Sequence, residues 1–566
     1  MSKVTTSSTS SFGCRSAAHI VLAIPELLEI IFSFGTQASN VSYALVCRDW
    51  RELALNNVWR EVDDMYYLLQ LLTPLRKEYA NYSSKNLVNL CAFSRRRQLS
   101  KTQIIFQEFS HIPTPEDWTC FTTYARRVHS LKYGTKGNEK AEKFMDSVFH
   151  DLAHTRTTLE VLPNLRSIWW NSIPTAQYAT LFMHDKVTEF SFKICDTLPL
   201  LCTNIVARMP SLRSLRWTNS YAHDSHNSRN DQELLKLLSS LQELREVMTP
   251  KDALNNKILT ALSLLPELEV IQFDKLGGIP RPIASLKCKL LEGAFPKLYD
   301  LCLNSDLDDI RVYLTGGALL PRLRNLSVES VHRELPRTVL KFLKNVTKCY
   351  PMLEMVSMDV IVNIADQDGC KPLSSKHLYP ILSLQQLTHL ELRHNQPLQI
   401  SEVDLAEFGA ALPALEKLVL NPEPLQPTTP KITLHSLLII AQHFPKLFYL
   451  GIYLDAQDTI IPVPHSHTKA FHNLLTLYVG VSPIASEIPA AIFLTDLLLE
   501  NERVEVRSGI SWNPRLFEGY HEYMTTISMR RTKWDHVVDF LPPLLRQRKE
   551  KAHRRNNGVG GPEDNI

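Results

Sequence analysis

No apolar stretch in this 566-residue chain approaches the roughly 18–20 residues that a membrane-spanning helix requires, so no membrane partner is expected. Charge of one sign is lacking too. The 62 Lys and Arg nearly balance the 59 Asp and Glu, and a formal charge of +3 gives no global field that would favour nucleic acid. The ten cysteines include no C-x-x-C pair, which argues against a zinc knuckle or a dense disulfide framework and for reduced, mostly core thiols. Catalytic signatures are missing as well. No G-x-x-x-x-G-K-[ST] or G-x-G-x-x-G loop is there to cradle phosphates, and no H-E-x-x-H or G-x-S-x-G motif is there to hold zinc or a nucleophile. HDSH (223–226) and PHSH (464–467) with His472 gather histidines without an adjacent Cys or a helical i, i+4 pair, so no metal and no cofactor is expected.

What is there begins with residues 24–60, IPELLEIIFSFGTQASNVSYALVCRDWRELALNNVWR. Pro25 suits the first turn of a helix, where its missing N–H costs nothing. Leu27, Leu28, Ile31, Phe32 and Phe34 recur at helical spacing, with Glu26 and Glu29 on the wet side. After the loop GTQASN, Val41, Leu45, Val46, Trp50 and Leu53 give a second apolar face, and Trp59 is placed to close the bundle. The unit carries more apolar side chains than one three-helix core can hide. Periodicity alone leaves two readings, a structural cap for the downstream array or a surface for a partner. The upstream AAHIVLAI (17–24) is short, contains His19 and runs into Pro25-Glu26, so it is not read as a secretion signal.

The I-P-E-L-L-x-x-I-F start and the A-L-V-C-R-x-W-R core resemble an F-box, the helical module that plugs into the adaptor of a cullin–RING ubiquitin ligase. The resemblance implies a Skp-family adaptor as partner, contacted or supported by Pro25, Leu27, Leu28, Ile31, Leu45, Val46 and Trp50. The middle loop is polar and lacks the leucine and acidic residue that many F-boxes carry there, which leaves Val41 to do that packing. Nothing near Cys47 supplies a base, so a reactive thiol is not expected.

Beyond about residue 125 one phrase recurs: an apolar residue, often Pro, one residue, then L-x-x-L-x-L. LPNLRSIWW (162–170), MPSLRSLRW (209–217), FPKLYDLCL (295–303), LPALEKLVL (412–420) and FPKLFYLGI (444–452) are examples, and LQELREVMT (241–249) is a degraded copy. The wide gap between Leu165 and Leu212 is split by Val187-x-x-Phe190-x-Phe192, and Val128-x-x-Leu131-x-Tyr133 is a candidate opening copy. Helical stretches such as SEVDLAEFGAALP (401–413), with Ser401 and Asp404 as a capping box, lie between the phrases. One strand and one helix per unit is the signature of leucine-rich repeats. The expected fold is α/β: an N-terminal helical F-box, then an irregular leucine-rich-repeat solenoid with parallel concave strands and convex helices. The whole is similar to F-box leucine-rich-repeat proteins of the fungal, irregular type.

Because strand side chains alternate, the anchor Leu and the positions three and five later point into the core, and positions two and four later point out. This phase buries Trp170 and Trp217 and exposes Trp169, Arg216, Asp300, His389, Glu391, Lys417, Tyr449 and Tyr478, with Tyr453 just beyond a strand end. Trp, Tyr and Arg dominate interface energetics, so target-binding candidates are Trp169 with Arg216 early, and Tyr449, Tyr453 and Tyr478 late.

The expected organisation is a disordered leader (1–19), the F-box module (20–61), a helical linker or cap (62–125), the solenoid (126–480), a C-terminal cap (481–545) and a basic disordered tail (546–566) that contains RQRKEKAHRR (546–555). With no spanning run and no secretion signal read, the protein is expected in the cytoplasm and/or nucleus; the resemblance implies a non-catalytic substrate receptor, whose F-box docks on the adaptor and its cullin–RING scaffold while the solenoid holds an unknown protein. The alternatives are a repeat scaffold without ligase delivery and a leucine-rich-repeat GTPase activator, for which Arg216 is the candidate catalytic Arg.

Overall fold

The computed structural model describes residues 21–22, 24–79, 105–134, 143–219, 228–274, 285–330, 332–361, 371–457, 471–498, 504–511 and 521–556. The leader and the histidine segments 223–226 and 464–467 lie outside the described residues. The chain divides into two units, Met1–Asp224 and Ser225–Ile566.

The first unit opens with three helices, α1 (Pro25–Ser33), α2 (Gln37–Tyr43) and α3 (Arg48–Arg60). The last runs directly into strand β1 (Glu61–Val62), which is followed by α4 (Met65–Leu69), β2 (Leu75–Tyr79), β3 (Ile105–Phe109) and α5 (Pro115–Ala125). The segment expected as a helical linker or cap is therefore part sheet. Tyr79 faces Ile105 and Leu75 faces Phe109 in an antiparallel pair. Then come β4 (Ser130–Tyr133), β5 (Lys143–Phe144), α6 (Asp146–Thr155), β6 (Ser167–Trp170), β7 (Glu189–Lys193), α7 (Leu198–Arg208) and β8 (Ser214–Thr218).

Strands β1, β4, β6, β7 and β8 form a parallel run in chain order. Its register sets Leu131, Ile168, Phe190 and Leu215 side by side. The apolar positions of the repeat phrase thus stack into one core wall, and Trp170 and Trp217 are buried there.

The second unit comprises α8 (Ser228–Ser240), β9 (Glu246–Thr249), α9 (Asn256–Ser263), β10 (Val270–Phe273), β11 (Asp300–Asn304), α10 (Leu307–Thr315), β12 (Asn325–Glu329), α11 (Pro336–Cys349), β13 (Met355–Val360), α12 (Ser375–Leu378), β14 (His389–His394), α13 (Glu402–Ala411), β15 (Lys417–Leu420), α14 (Ser436–His443), β16 (Tyr449–Ile452), β17 (Thr476–Gly480), α15 (Glu487–Leu497), β18 (Glu505–Ser508) and α16 (His521–Asn556). Strands β9 to β18 are parallel neighbours in chain order, and the degraded copy at 241–249 supplies one of them. The fold is a leucine-rich-repeat solenoid.

Every anchor leucine is buried, from Leu165 to Leu474. Packing these ladders is what holds the array, because a lone strand–helix unit has no second apolar face to cover its own. The capping box of α13 forms: the Ser401 N–H donates to Asp404 Oδ2 at 2.7 Å, and the Asp404 N–H to Ser401 Oγ at 3.4 Å. One expectation fails at the end of the chain. RQRKEKAHRR continues α16 as helix, and does so despite Pro542 and Pro543 within it.

Candidate functional site

The N-terminal module is built on a small aromatic core. Pro25 starts α1, and the 100° step of the helix turns Leu28 and Phe32 inward. Ala54 on α3 closes against them, with Tyr43, Trp50 and Leu53 packed around. The Phe32 and Tyr43 rings stack at 4.8 Å, and Trp50 meets both edge-on at 5.3 and 6.2 Å. Buried Asn40, which sequence reading passed over as loop polarity, ties α2 to the end of α1. Its Nδ2 donates to the Phe32 carbonyl at 3.1 Å and to the Thr36 carbonyl at 3.2 Å.

Two local expectations are corrected. Residues 41–53 are not one helix: α2 stops at Tyr43, and Cys47 is extended (φ −156°) as the N-cap of α3. Val41 is about half exposed and lies outside the core, where Tyr43 packs instead. The break has a consequence. It puts Leu45 and Val46 in a turn, 83% and 60% exposed, although both are large and apolar. Leu27, Ile30 and Ile31 stay exposed on α1, and Phe34, just past its end, is 86% exposed.

The seven predicted residues therefore split. Leu28 and Trp50 are core supports, whereas Pro25, Leu27, Ile31, Leu45 and Val46 lie on the surface. Ile30 and Phe34 join the exposed apolar group. Phe34 had a legible signal, falling past the last turn of α1, where its own helix cannot cover it. Cys47 is exposed, and the described cysteines are free thiols.

Residues 25–64 match the family model described as F-box-like. The chain carries an F-box-like domain. No curated protein matches the sequence. Among solved structures the chain is similar to the yeast complex of Rad7 and Elc1 (15% identity, 82% of this chain and 98% of that one, TM-score 0.31). It is also similar to an internalin of Listeria monocytogenes (17% identity, 60% and 82%, TM-score 0.29) and to LegL7 of Legionella pneumophila (12% identity, 65% and 94%, TM-score 0.29).

The F-box-like domain is joined to the first repeats by more than the chain. Buried Arg127 donates from Nη2 to Glu52 Oε2 at 2.6 Å, from Nη1 to the Glu52 carbonyl at 3.3 Å, and from Nη1 to Asn56 Oδ1. The hydrogen bond from the Arg127 guanidinium holds the Glu52 carboxyl below its ordinary range. Trp59 packs on Tyr124 of α5, 5.4 Å between rings.

On the sheet face, the two candidate groups fare differently. Trp169 and Arg216 sit on strands separated by β7, where their common neighbour is Ser191. A side chain that small lets the guanidinium lie 4.9 Å from the Trp169 ring centroid, a cation–π contact on a half-exposed surface. Tyr449 is likewise half-buried, with Lys417 Nζ 5.2 Å from its ring centroid and Lys417 paired to Glu391.

Tyr453 and Tyr478 are buried, against expectation. Ile527 of α16 packs on Tyr453, whose hydroxyl donates to the Thr428 carbonyl at 2.8 Å. Burial pushes that hydroxyl up to about 12. The Tyr478 hydroxyl donates to the Gly509 carbonyl at 2.9 Å. Asp300 is buried too, accepting from Gln272 Nε2 at 3.1 Å and Asn325 Nδ2 at 3.3 Å.

Proposed function

We propose that this protein is the substrate-recognition subunit of an SCF-type cullin–RING ubiquitin ligase. The F-box-like domain docks on a Skp-family adaptor, and the solenoid holds a target for ubiquitination and degradation. The observation that carries this reading is the exposed apolar group Leu27, Ile31, Leu45 and Val46, with Ile30 and Phe34, on a domain of that family. Six large apolar side chains left exposed on one small folded helical module are what a protein-binding site requires.

The mechanism is proximity. Holding the target beside a charged conjugating enzyme turns an encounter between molecules into one within an assembly, and no chemistry by this chain is required. The GTPase-activator reading is disfavoured by the position of Arg216, which already lies over Trp169. We place the protein in the cytoplasm and/or nucleus; among the described residues no helix is long and apolar enough to cross a membrane.

The test is adaptor capture by the full chain and by a Leu45→Asp/Val46→Asp variant. Both positions are surface turns, so the variant keeps its core. Capture by wild type alone supports the reading. Failure of the folded wild-type chain to capture any Skp-family adaptor overturns it.

A further inference from the structure

The second unit contains a cleft of about 550 Å³ between its last strands and α16. That size falls within the range of ligand sites. Tyr449 and Tyr478 supply aromatic surface, Arg393 and Arg507 the positive charges, and Glu505, Asp535 and Asp539 the negative ones.

The two signs are not equally committed. Burial alone would pull the Arg393 guanidinium below its ordinary value. Asp359, Glu423 and Glu391 outweigh that and hold it above. Arg507 is paired with Glu505 at 2.6 Å. The positive lining is thus answered from within the chain. The carboxylates of α16 are less so: Asp535 has Arg531 only at 3.8 Å and accepts from Ser508 Oγ at 3.1 Å. Asp539 is exposed on the same side of the helix one turn later. Among the described residues the less fully paired charge of the cleft is negative, and it shares the cleft with Tyr449, whose ring already has Lys417 Nζ 5.2 Å from its centroid.

We propose that this cleft seats a short basic segment of a protein partner, an Arg or Lys side chain lying against Tyr449 with its charge answered by Asp535 and Asp539. The proposal deepens the receptor reading, since it names the chemistry of the recognised segment, and it rests on the solenoid being the target-holding part. Helix α16 is then more than an end cap: it contributes both of the carboxylates that answer the incoming charge. Its seat is firm, with Trp534 buried and donating from Nε1 to the Ser482 carbonyl at 3.0 Å, and Arg530 donating to the Val481 carbonyl at 2.9 Å.

The experiment is fluorescence anisotropy with the full chain and short labelled peptides from an array that vary only at a central pair: Arg-Lys, Ala-Ala or Glu-Glu. Binding confined to the Arg-Lys series is expected. It should weaken at least about tenfold in Asp535→Asn/Asp539→Asn and in Tyr449→Ala, with melting midpoints unchanged for the double variant, whose sites are exposed. Equal binding of the Glu-Glu series, absence of binding by every peptide, or indifference to the double variant would overturn the proposal. Adaptor capture is read separately. Capture without peptide binding removes the cleft and keeps the receptor, while peptide binding without capture does the reverse.

Discussion

Leucines in this chain have two opposite fates. In the repeats the anchors are sealed in the core, and Leu298 and Leu353 have no measurable exposure. In the F-box-like domain Leu45 and Val46 stand in a turn with most of their surface in water. The difference lies in what each element can cover for itself. A repeat borrows its neighbours' faces on both sides, so every anchor finds a partner within the chain. The three-helix module spends its interior on Phe32, Tyr43 and Trp50 and has none left. Hydrophobicity therefore marks stability in one region and, on the proposed function, partnership in the other.

The contrast is broken most severely at a core position of a repeat, three residues after its anchor. Leu418→Ala, at a fully buried position, should cost about 2–5 kcal/mol in urea melts, whereas Leu45→Asp should stay within ~0.5 kcal/mol and lose only adaptor capture. Equal losses from the two would erase the distinction.

Acid provides the next largest effect. Burial lowers His394 to about 4 from an ordinary 6.5, so the folded state keeps it neutral where the unfolded chain takes up a proton. Its contribution is full above pH 6.5 and declines as pH falls toward 4, by up to about 3 kcal/mol. The slope of stability against pH over that window should flatten in His394→Asn.

At the join between the regions, Arg127→Ala removes three donated hydrogen bonds and should cost about 1–3 kcal/mol. Faster proteolysis after α3, with the second unit's melt unaltered, is the sharper readout. Smallest is a hydroxyl: Tyr478→Phe should cost about 0.5–1.5 kcal/mol for its bond to Gly509, and Tyr449→Phe nothing resolvable by the same melts.

Much of the solenoid was legible because its signal is local and repeated. The phrase L-x-x-L-x-L is itself the strand, and the phase that buried Trp170 and Trp217 needed only side-chain alternation. Even the weak copies at 128–133, 187–192 and 241–249 became strands β4, β7 and β9. What escaped depended on partners far along the chain. Tyr453 and Tyr478 obey the outward phase, but Ile527 of α16 packs on the first and the Gly509 carbonyl accepts from the second, and no spacing within a repeat announces partners 74 and 31 residues further along the chain. The break at residues 44–47 was hidden for another reason. Val41, Leu45 and Val46 mimic helical spacing, and only the extended Cys47 shows that the last two sit in a turn. In the N-terminal module, family likeness named Leu27, Ile31, Leu45 and Val46 but not Ile30 and Phe34, while the supporting positions of Leu28 and Trp50 needed the packing.

Helix α3 passes into β1 without an intervening residue, and β1 is hydrogen-bonded to β4. A chain built this way is a lever and not a leash. A molecule gripped by the first unit's sheet would not sweep a volume around whatever grips the helices. It would be presented at one bearing, so the choice among its lysines would be made by angle and reach before any preference of the transferring enzyme came into play.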